Sequence, residues 1–338
     1  MLPKVVLSSW VHPEVIAFLE QAAEVVPHQA RDVVPAGELR RRCRDAHGLM
    51  AFMSDSIDET FLSACPELKV IACALKGYDN FDAAACEQQG VWLTVVPDLL
   101  TLPTAELAIG LMIGLARNIP AGDRLVRSGQ FRGWRPVLYG RGLDGSTVGL
   151  IGVGAVGKAV ARRLAGFQTT LLYTDRVPLS PDQEDALRLR RVGREELLRQ
   201  SDFVLLGLPL APGTLGLVDA RFLAGLKRGA FLVNIARGSL VDEVAVADAL
   251  ESGALGGYAA DVFAFEDWAL DGRPGELDSR LRQARDKTLF TPHLGSAVDD
   301  VRRDIALQAA ASLVDALQGR VPAGAVNRPS PVQNIAVP

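Results

Sequence analysis

The chain has 338 residues, of which 49% are hydrophobic and 22% are charged, and its formal net charge is −4 at pH 7. This composition is typical of a globular protein with enough residues for two domains, and it excludes a disordered chain. The weakly negative charge gives no basic surface for nucleic acid. The N-terminal segment has only a short apolar stretch, so we expect no signal peptide and a cytoplasmic protein.

The longest apolar run extends from Leu107 to Ala116 and lies between Glu106 and Arg117. It is well short of the roughly 20 residues that span a membrane, so we expect a buried helix and no membrane contact. The four cysteines, within residues 43–86, have no CxxC spacing and no histidine beside them. We therefore expect reduced thiols and no metal site.

Short apolar runs typical of buried strands alternate with helix-length segments from the start of the chain. Before residue 98 the runs are KVVLSS, GLMAFM, KVIACA and VWLTVV, and segments such as AGELRRRCRDA and DETFLSACPEL separate them. Such alternation predicts an α/β fold with a parallel sheet covered by helices. The segment PDLLTLPTAELAIGLMIGLARNI then predicts a long apolar helix capped by Thr104, which places the first domain boundary near residue 98.

A second alternation begins after a loop at residues 129–145, and it carries the most specific motif of the chain. Gly152, Gly154 and Gly157 form GxGxxG directly after a predicted strand and at the start of a predicted helix. The first glycine permits a tight turn, the second lets the backbone approach a pyrophosphate, and the third lets helix and strand pack closely. We therefore predict a dinucleotide site, with Ala155 and Val156 also at the phosphates.

Asp175 ends the next predicted strand, TLLYTD. A carboxylate there accepts hydrogen bonds from the ribose hydroxyls and repels a 2′-phosphate, so the predicted cofactor is NAD. Arg176 follows directly, and a guanidinium pairs well with phosphate. Weaker use of NADP therefore stays open.

Four more chemically notable residues end predicted strands or follow them closely. The segment DFVLLGLP ends at Pro209, AFLVNIARG reaches Arg237, GGYAADVFAFE runs to Glu266, and TLFTPH ends at His293. Because ligands bind at the carboxyl ends of parallel strands, we expect these residues to converge beside the nicotinamide.

Arg237, Glu266 and His293 then have complementary chemical roles. The arginine would hold an anionic substrate by paired hydrogen bonds, the histidine would move a proton, and the glutamate would orient the imidazole and stabilise its charged form. Each residue alone has an ordinary interpretation as a surface ion pair or a solvated side chain. Their joint position favours catalysis, and Pro292 predicts an extended approach to His293.

The segments LIGVGAVGKAVARRL, NIARGSLVDEVAVADAL, GGYAADVF and TPHLGSA resemble the successive signatures of the NAD-dependent D-2-hydroxyacid dehydrogenase family. The resemblance implies a Rossmann nucleotide-binding domain, residues 99–294, inserted into a flavodoxin-like substrate domain, residues 1–98 plus 295–338. The segment VRRDIALQAAASLVDALQG would be the helix that returns to the first domain. Members are usually homodimers joined through the helix near residues 107–116.

The resemblance also assigns individual residues. Arg237, Glu266 and His293 match the catalytic residues of the family, and Asp261 matches the aspartate that binds the carboxamide of the cofactor. Further residues expected at the cofactor are Thr104, Leu208, Pro209, Ile235, Ala236 and Gly295.

The segments ALKGYDNFD, GVWLTVVPDLLTLPTAELAIGL, GWRPVLYG, FEDW and FTPHLGSAV resemble the phosphite dehydrogenases, the branch of this family that oxidises phosphite to phosphate with NAD. Most hydroxyacid members bind the substrate carboxylate with backbone N–H groups of the loop that matches Leu75, Lys76 and Gly77, usually without a lysine there. The resemblance implies that Lys76 meets a small dianion, since phosphite is largely doubly charged near neutral pH. It also implies substrate contacts from five further residues, Met53, Trp134, Tyr139, Ser296 and Arg302.

The catalytic base stays open between the histidine and an arginine, and two alternative functions stay open as well. An ordinary 2-hydroxyacid dehydrogenase or glyoxylate/hydroxypyruvate reductase shares every nucleotide-binding and catalytic residue, so only the substrate pocket separates it from phosphite oxidation. A non-catalytic sensor that binds NAD(H) and a protein partner uses the same fold, because fold does not dictate function.

Overall fold

The computed structural model describes residues 2–329 of the chain. These residues form two compact units, of which unit 1 comprises residues 2–100, 268–271 and 297–329, and unit 2 comprises residues 101–267 and 272–296. The first and last changes of unit come after residues 100 and 296, where the sequence placed them after 98 and 294, and the chain also enters unit 1 briefly at residues 268–271. Leu100 packs against the core of unit 1 and Thr101 begins the next helix, which accounts for the first difference.

The described residues of unit 1 contain a parallel sheet of five strands in the order β2-β1-β3-β4-β5. The strands are β1 (Lys4–Leu7), β2 (Glu24–Val26), β3 (Gly48–Ala51), β4 (Val70–Cys73) and β5 (Trp92–Thr94). The first four helices are α1 (Pro13–Glu20), α2 (Ala36–Cys43), α3 (Glu59–Ser63) and α4 (Ala83–Gln88). This is the flavodoxin-like strand order, and it confirms the predicted fold of the first domain.

The helices of unit 2 are α5 (Thr101–Ala116), α6 (Ile119–Arg127), α7 (Ala155–Leu164), α8 (Pro181–Leu187), α9 (Arg194–Gln200), α10 (Ala220–Ala224), α11 (Glu243–Glu251) and α12 (Ser279–Gln283). Its strands are β6 (Thr147–Ile151), β7 (Thr170–Thr174), β8 (Leu189–Arg191), β9 (Phe203–Leu206), β10 (Ala230–Asn234), β11 (Leu255–Ala260) and β12 (Thr288–Phe290). Three short 3₁₀ helices complete the unit, at Ala165–Phe167, Gly238–Leu240 and Ala264–Glu266. The last helix among residues 2–329, α13 (Asp299–Leu317), belongs to unit 1, where the resemblance placed the returning helix.

The parallel sheet of unit 2 has the order β12-β11-β10-β9-β6-β7-β8. Numbered from β6, this is the Rossmann order with one additional strand at the edge, so the predicted nucleotide-binding fold is confirmed. The strand order reverses beside β6, between β7 on one side and β9 on the other. Ligands of open α/β sheets bind at such a reversal, at the carboxyl ends of the strands.

The helix α5 begins at Thr101, so Thr104 lies within its first turn and is not its cap; that prediction was wrong. Pro103 precedes Thr104 and is tolerated there because the first N–H groups of a helix have no intrahelical partner. As expected, most of the apolar run in α5 is buried, including Ala108 and Met112. Within residues 2–329, every helix is too short or too polar to cross a membrane.

Candidate active site

The glycine motif forms the turn between β6 and α7. Gly152 has φ +91°, and a Cβ on it would lie 2.6 Å from the carbonyl oxygen of Gly207. A Cβ on Gly157 would lie 2.6 Å from the carbonyl oxygen of Gly152, so both positions require glycine. Gly154 is different, since a Cβ there would meet open space directly before Ala155, the first residue of α7. A ten-residue helix beginning at this open edge fits the pyrophosphate of a dinucleotide.

Asp175 lies directly after β7, and its carboxylate accepts a hydrogen bond from the glycine turn. Oδ2 accepts the backbone N–H of Val153 at 2.8 Å, and Oδ1 accepts that of Val177 at 3.1 Å. Each oxygen has a second lone pair, which leaves acceptor capacity for ribose hydroxyls. Arg176 is exposed beside it.

The other residues expected at the cofactor also lie at the carboxyl edge of this sheet. Leu208 and Pro209 follow β9, and Ile235 and Ala236 follow β10. Thr104, on α5, lies close to Gly295 and Asp261. A Cβ on Gly295 would lie 3.2 Å from Thr104 Oγ1 and 3.2 Å from Asp261 Oδ2.

His293 and Glu266 come together as predicted. Nδ1 of His293 lies 3.1 Å from Oε2 of Glu266, and both side chains are partly buried. The other carboxylate oxygen, Oε1, accepts the backbone N–H of Phe263 at 2.9 Å. An ionised Glu266 therefore keeps a proton on Nδ1 and leaves Nε2 of the imidazole as the basic atom.

The backbone at His293 is left-handed, with φ +56°. The extended approach predicted from Pro292 concerns the residues before His293 and stays a prediction. A non-glycine residue in the left-handed region costs about 1–3 kcal/mol and requires support from its surroundings. The N–H of His293 donates to the carbonyl oxygen of Asp261 at 2.8 Å and to that of Thr291 at 3.0 Å. This geometry turns the imidazole towards Glu266.

The carboxylate of Asp261 holds the same loop by three hydrogen bonds. Oδ1 accepts the Thr291 hydroxyl at 2.6 Å and the N–H of Leu294 at 2.7 Å, and Oδ2 accepts the N–H of Gly295 at 2.8 Å. Burial raises the pKa of Asp261, and these donors oppose that effect. The resemblance had implied only a cofactor contact for this residue, so its support of the His293 loop is an additional role.

Arg237 follows β10, and a hydrogen bond to its backbone carbonyl fixes its position. Its carbonyl oxygen accepts Nδ2 of the buried Asn234 at 2.8 Å, while Oδ1 of Asn234 accepts the N–H of Ala236 at 3.1 Å. One guanidinium nitrogen donates to the carbonyl oxygen of Ala236 at 2.8 Å. Sequence reasoning missed Asn234, although an asparagine at the end of a buried strand was a signal for it.

In unit 1, Leu75 is buried, and Lys76 and Gly77 are partly buried in the loop after β4. Within the part of the chain that the structure describes, no carboxylate forms an ion pair with Lys76. Arg302, on α13, donates to the carbonyl oxygen of Ala74 at 3.2 Å, and its guanidinium carbon lies 5.9 Å from the centre of the Phe52 ring. Burial lowers the pKa of Arg302, yet an arginine stays protonated in proteins.

Met53 lies in the neighbouring loop, which follows β3 and which buried polar groups support. Nδ2 of Asn80 donates to the carbonyl oxygen of Met53 at 3.1 Å. Asp55 Oδ2 accepts the N–H of Phe52 at 2.7 Å and also the Ser8 hydroxyl. Burial raises the pKa of Asp55 to about 6, although both of these hydrogen bonds act in the opposite direction.

The remaining residues predicted at the substrate have different environments. Trp134 and Tyr139 lie in the loop before β6 and are 83% and 76% exposed, so the structure does not place them in a buried site within unit 2. Ser296 is partly buried directly after Gly295. Among residues 2–329, no three His, Cys, Asp or Glu side chains are placed to hold a metal ion.

A Rossmann sheet with a glycine turn, an aspartate at the end of β7 and a Glu–His pair at its carboxyl edge is the arrangement expected of an NAD-dependent oxidoreductase. Comparisons with known proteins give the family. Residues 109–295 match the D-isomer specific 2-hydroxyacid dehydrogenase, NAD binding domain. The chain belongs to this family.

Similar proteins cover nearly the whole chain. A glyoxylate reductase of Pyrococcus horikoshii is 35% identical over 334 residues, with 97% of each chain covered. A glyoxylate reductase of Thermococcus litoralis is 32% identical over 333 residues, with 97% of this chain and 98% of that protein covered. The crystal structure of the TT0316 protein from Thermus thermophilus matches with a TM-score of 0.87 at 35% identity, over 96% of this chain and 99% of that one.

Proposed function

We propose that the protein oxidises phosphite to phosphate with NAD. The observation that carries the proposal is the pair of cations in unit 1. Arg302 is bonded to the Ala74 carbonyl, two residues before Lys76, and Lys76 has no ion pair within residues 2–329. One cation balances the single charge of a carboxylate substrate. A dianion is balanced by two, here Lys76 and Arg302.

The second positive charge contributes to the binding of a dianion. Two unit charges about 4 Å apart at an effective dielectric of about 20 attract each other by about 4 kcal/mol before desolvation. Even after most of that energy is lost to desolvation, Lys76 favours a dianion over a monoanion. We therefore assign Lys76, Gly77 and Arg302 to the substrate oxygens, with Met53 and Ser296 as further contacts.

The reaction takes phosphite, water and NAD⁺ to phosphate, NADH and a proton. The P–H bond breaks and a P–O bond to water forms. NAD supplies, when bound, the nicotinamide carbon that receives the hydride. Arg237 holds the oxyanion, and Nε2 of His293 takes the proton from the attacking water while Glu266 stabilises the imidazolium.

A second candidate is reduction of a 2-oxoacid such as glyoxylate. Two relatives named glyoxylate reductase cover 97% of the chain, and this similarity supports the second candidate more directly than it supports phosphite oxidation. The residues of unit 2 serve either reaction, since each needs an anion-binding arginine and a histidine that moves a proton.

One assay separates the candidates. The absorbance of NADH is followed with NAD⁺ and phosphite, and separately with NADH and glyoxylate or hydroxypyruvate. We expect phosphite to give the highest kcat/KM. Consumption of NADH with glyoxylate and no formation of NADH with phosphite would establish the second candidate, and no signal with any substrate would favour a non-catalytic NAD(H) sensor.

Three further assignments are proposals of the same kind. A homodimer is supported by apolar side chains that unit 2 exposes, including Ile119, Val126 and Trp134, and light scattering tests it. Weaker use of NADP is supported by the exposed Arg176 beside Asp175. A reducing compartment, the cytoplasm, is supported by cysteines that are all buried and free of disulfides among the described residues.

A further inference from the structure

Two loops touch at the carboxyl edge of the sheet of unit 2. One follows β10 and contains Arg237 and the 3₁₀ helix Gly238–Leu240, and the other follows β11 and contains the 3₁₀ helix Ala264–Glu266. A Cβ on Gly238 would lie 1.8 Å from the carbonyl carbon of Phe263 and 2.1 Å from the nitrogen of Ala264. The two backbones are therefore in direct contact, and no side chain fits between them.

Asp267 connects these loops by a hydrogen bond. It follows Glu266 directly and is only 4% exposed. Its Oδ2 accepts the N–H of Ser239 at 2.7 Å, and Ser239 lies two residues after Arg237. A bond from a backbone amide to an ionised carboxylate is about twice as strong as a bond between neutral groups.

A second carboxylate supports the same contact from α11. Glu243 is partly buried, and its Oε1 accepts the N–H of Ala264 at 3.3 Å. Its Oε2 accepts the N–H of Asp278 at the same distance. Asp267 is the more direct connection, because its bond reaches the Arg237 loop itself.

Arg237 and Glu266 lie on different loops, so the way the loops are joined sets the geometry between the anion-binding guanidinium and the Glu266–His293 pair. We propose that Asp267 is a positioning residue that fixes Arg237 relative to this pair. The proposal rests on the catalytic roles given above for Arg237, Glu266 and His293, and it holds for phosphite oxidation and for 2-oxoacid reduction alike. A displacement of about 1 Å at a reacting group lowers a rate by about 100-fold.

Asp267→Ala and Asp267→Asn test the proposal. The alanine variant removes the acceptor, and we expect its kcat to fall by about 100-fold. The asparagine variant keeps a neutral acceptor of the same shape, and we expect its kcat to fall by only about three- to tenfold. The dissociation constant of NADH, measured by fluorescence, should change by less than about threefold in both variants, because the glycine turn is a separate loop. The rate is measured with whichever substrate the wild type turns over, so an error in the substrate does not affect the result.

Asp202→Asn is the matched control. Asp202 is 8% exposed and accepts the N–H of Thr147 at 3.0 Å, but it directly precedes β9 and so lies at the opposite edge of the same sheet. We expect a lower melting temperature and a kcat within about twofold of the wild type. Wild-type kcat in Asp267→Asn, or a loss of kcat in Asp202→Asn as large as that in Asp267→Asn, would overturn the proposal. Both measurements use the asparagine variants, so they stand even where Asp267→Ala does not fold.

Discussion

The polar side chains at the carboxyl ends of the strands have different partners in the two units. In unit 2, hydrogen bonds within the unit fix both oxygens of Glu266, the backbone of His293 and the carbonyl of Arg237. In unit 1, the loop after β4 carries Lys76, which has no ion pair among residues 2–329. The Glu266–His293 pair is thus held in place within unit 2, while the side chain of Lys76 has no ion-pair partner among the described residues. The residues that match the family motifs lie in unit 2, so they predict the class of reaction. They say little about the substrate, because the residues predicted to select it include Lys76 in unit 1.

The largest expected effect is the loss of His293, the proposed proton-moving group in unit 2. His293→Ala should lower kcat by about 100- to 10,000-fold, because a positioned general base contributes that much to a rate. Steady-state formation of NADH measures it, and the NADH dissociation constant is the control for folding. A variant with wild-type turnover would remove His293 from the mechanism.

Asp55 tests the buried support of the loops in unit 1. Its pKa in the folded chain is raised to about 6 from 3.8, so the folded state binds the proton more tightly than the unfolded state does. The stabilisation from the protonated carboxyl is full below about pH 4 and is lost as the pH rises through about 6, a change of about 3 kcal/mol. Asp55→Asn should remove this pH dependence of the unfolding free energy in urea. If the unfolding free energy of the variant depended on pH as in the wild type, the ionisation of Asp55 would not be the source of that dependence.

Lys76 tests the charge that unit 1 presents. Lys76→Ala should raise the KM for phosphite by about 10- to 100-fold. This ratio corresponds to the free energy that a hydrogen bond to a charged group contributes. The KM for NAD should stay within about twofold, because the nucleotide residues lie in unit 2. Lys69→Ala is a control, since Lys69 lies one residue before β4 and so at the other end of the strand that Lys76 follows. Equal effects of the two substitutions would contradict a specific contact.

The smallest expected effect concerns the cofactor. Arg176→Ala should lower kcat/KM for NADP by about tenfold, since an exposed guanidinium–phosphate contact contributes little more than about 1 kcal/mol. The value for NAD should change by less than about threefold. A parallel loss with both cofactors would show that Arg176 does not recognise the 2′-phosphate.

Local patterns predicted much of this molecule. Four of the strands in unit 1 lie within largely apolar runs of the sequence, and the glycine motif after β6 predicted the nucleotide-binding fold. The strands β2 and β8 escaped prediction because they are three residues long and carry charge, as in Arg190 and Arg191 of β8. Such edge strands owe their existence to pairing with a neighbour and not to their own composition.

The supporting residues of the site were not predictable for a related reason. Asp267 acts on Ser239, 28 positions away, and Asp55 acts on Ser8, 47 positions away. Nothing in the sequence near either aspartate distinguishes a buried acceptor from a solvated carboxylate. The N–H of the left-handed His293 likewise donates to Asp261, 32 positions away, a contact that no local pattern indicates.

The central proposal is that a hydride leaves phosphorus for the nicotinamide. Phosphite carrying deuterium on phosphorus tests it most directly, with the NADH product analysed by mass spectrometry and NMR. The proposal predicts NADH with one deuterium at the reacting carbon of the nicotinamide ring and phosphate in equal amount. NADH without deuterium, or no NADH while glyoxylate is reduced, would contradict it.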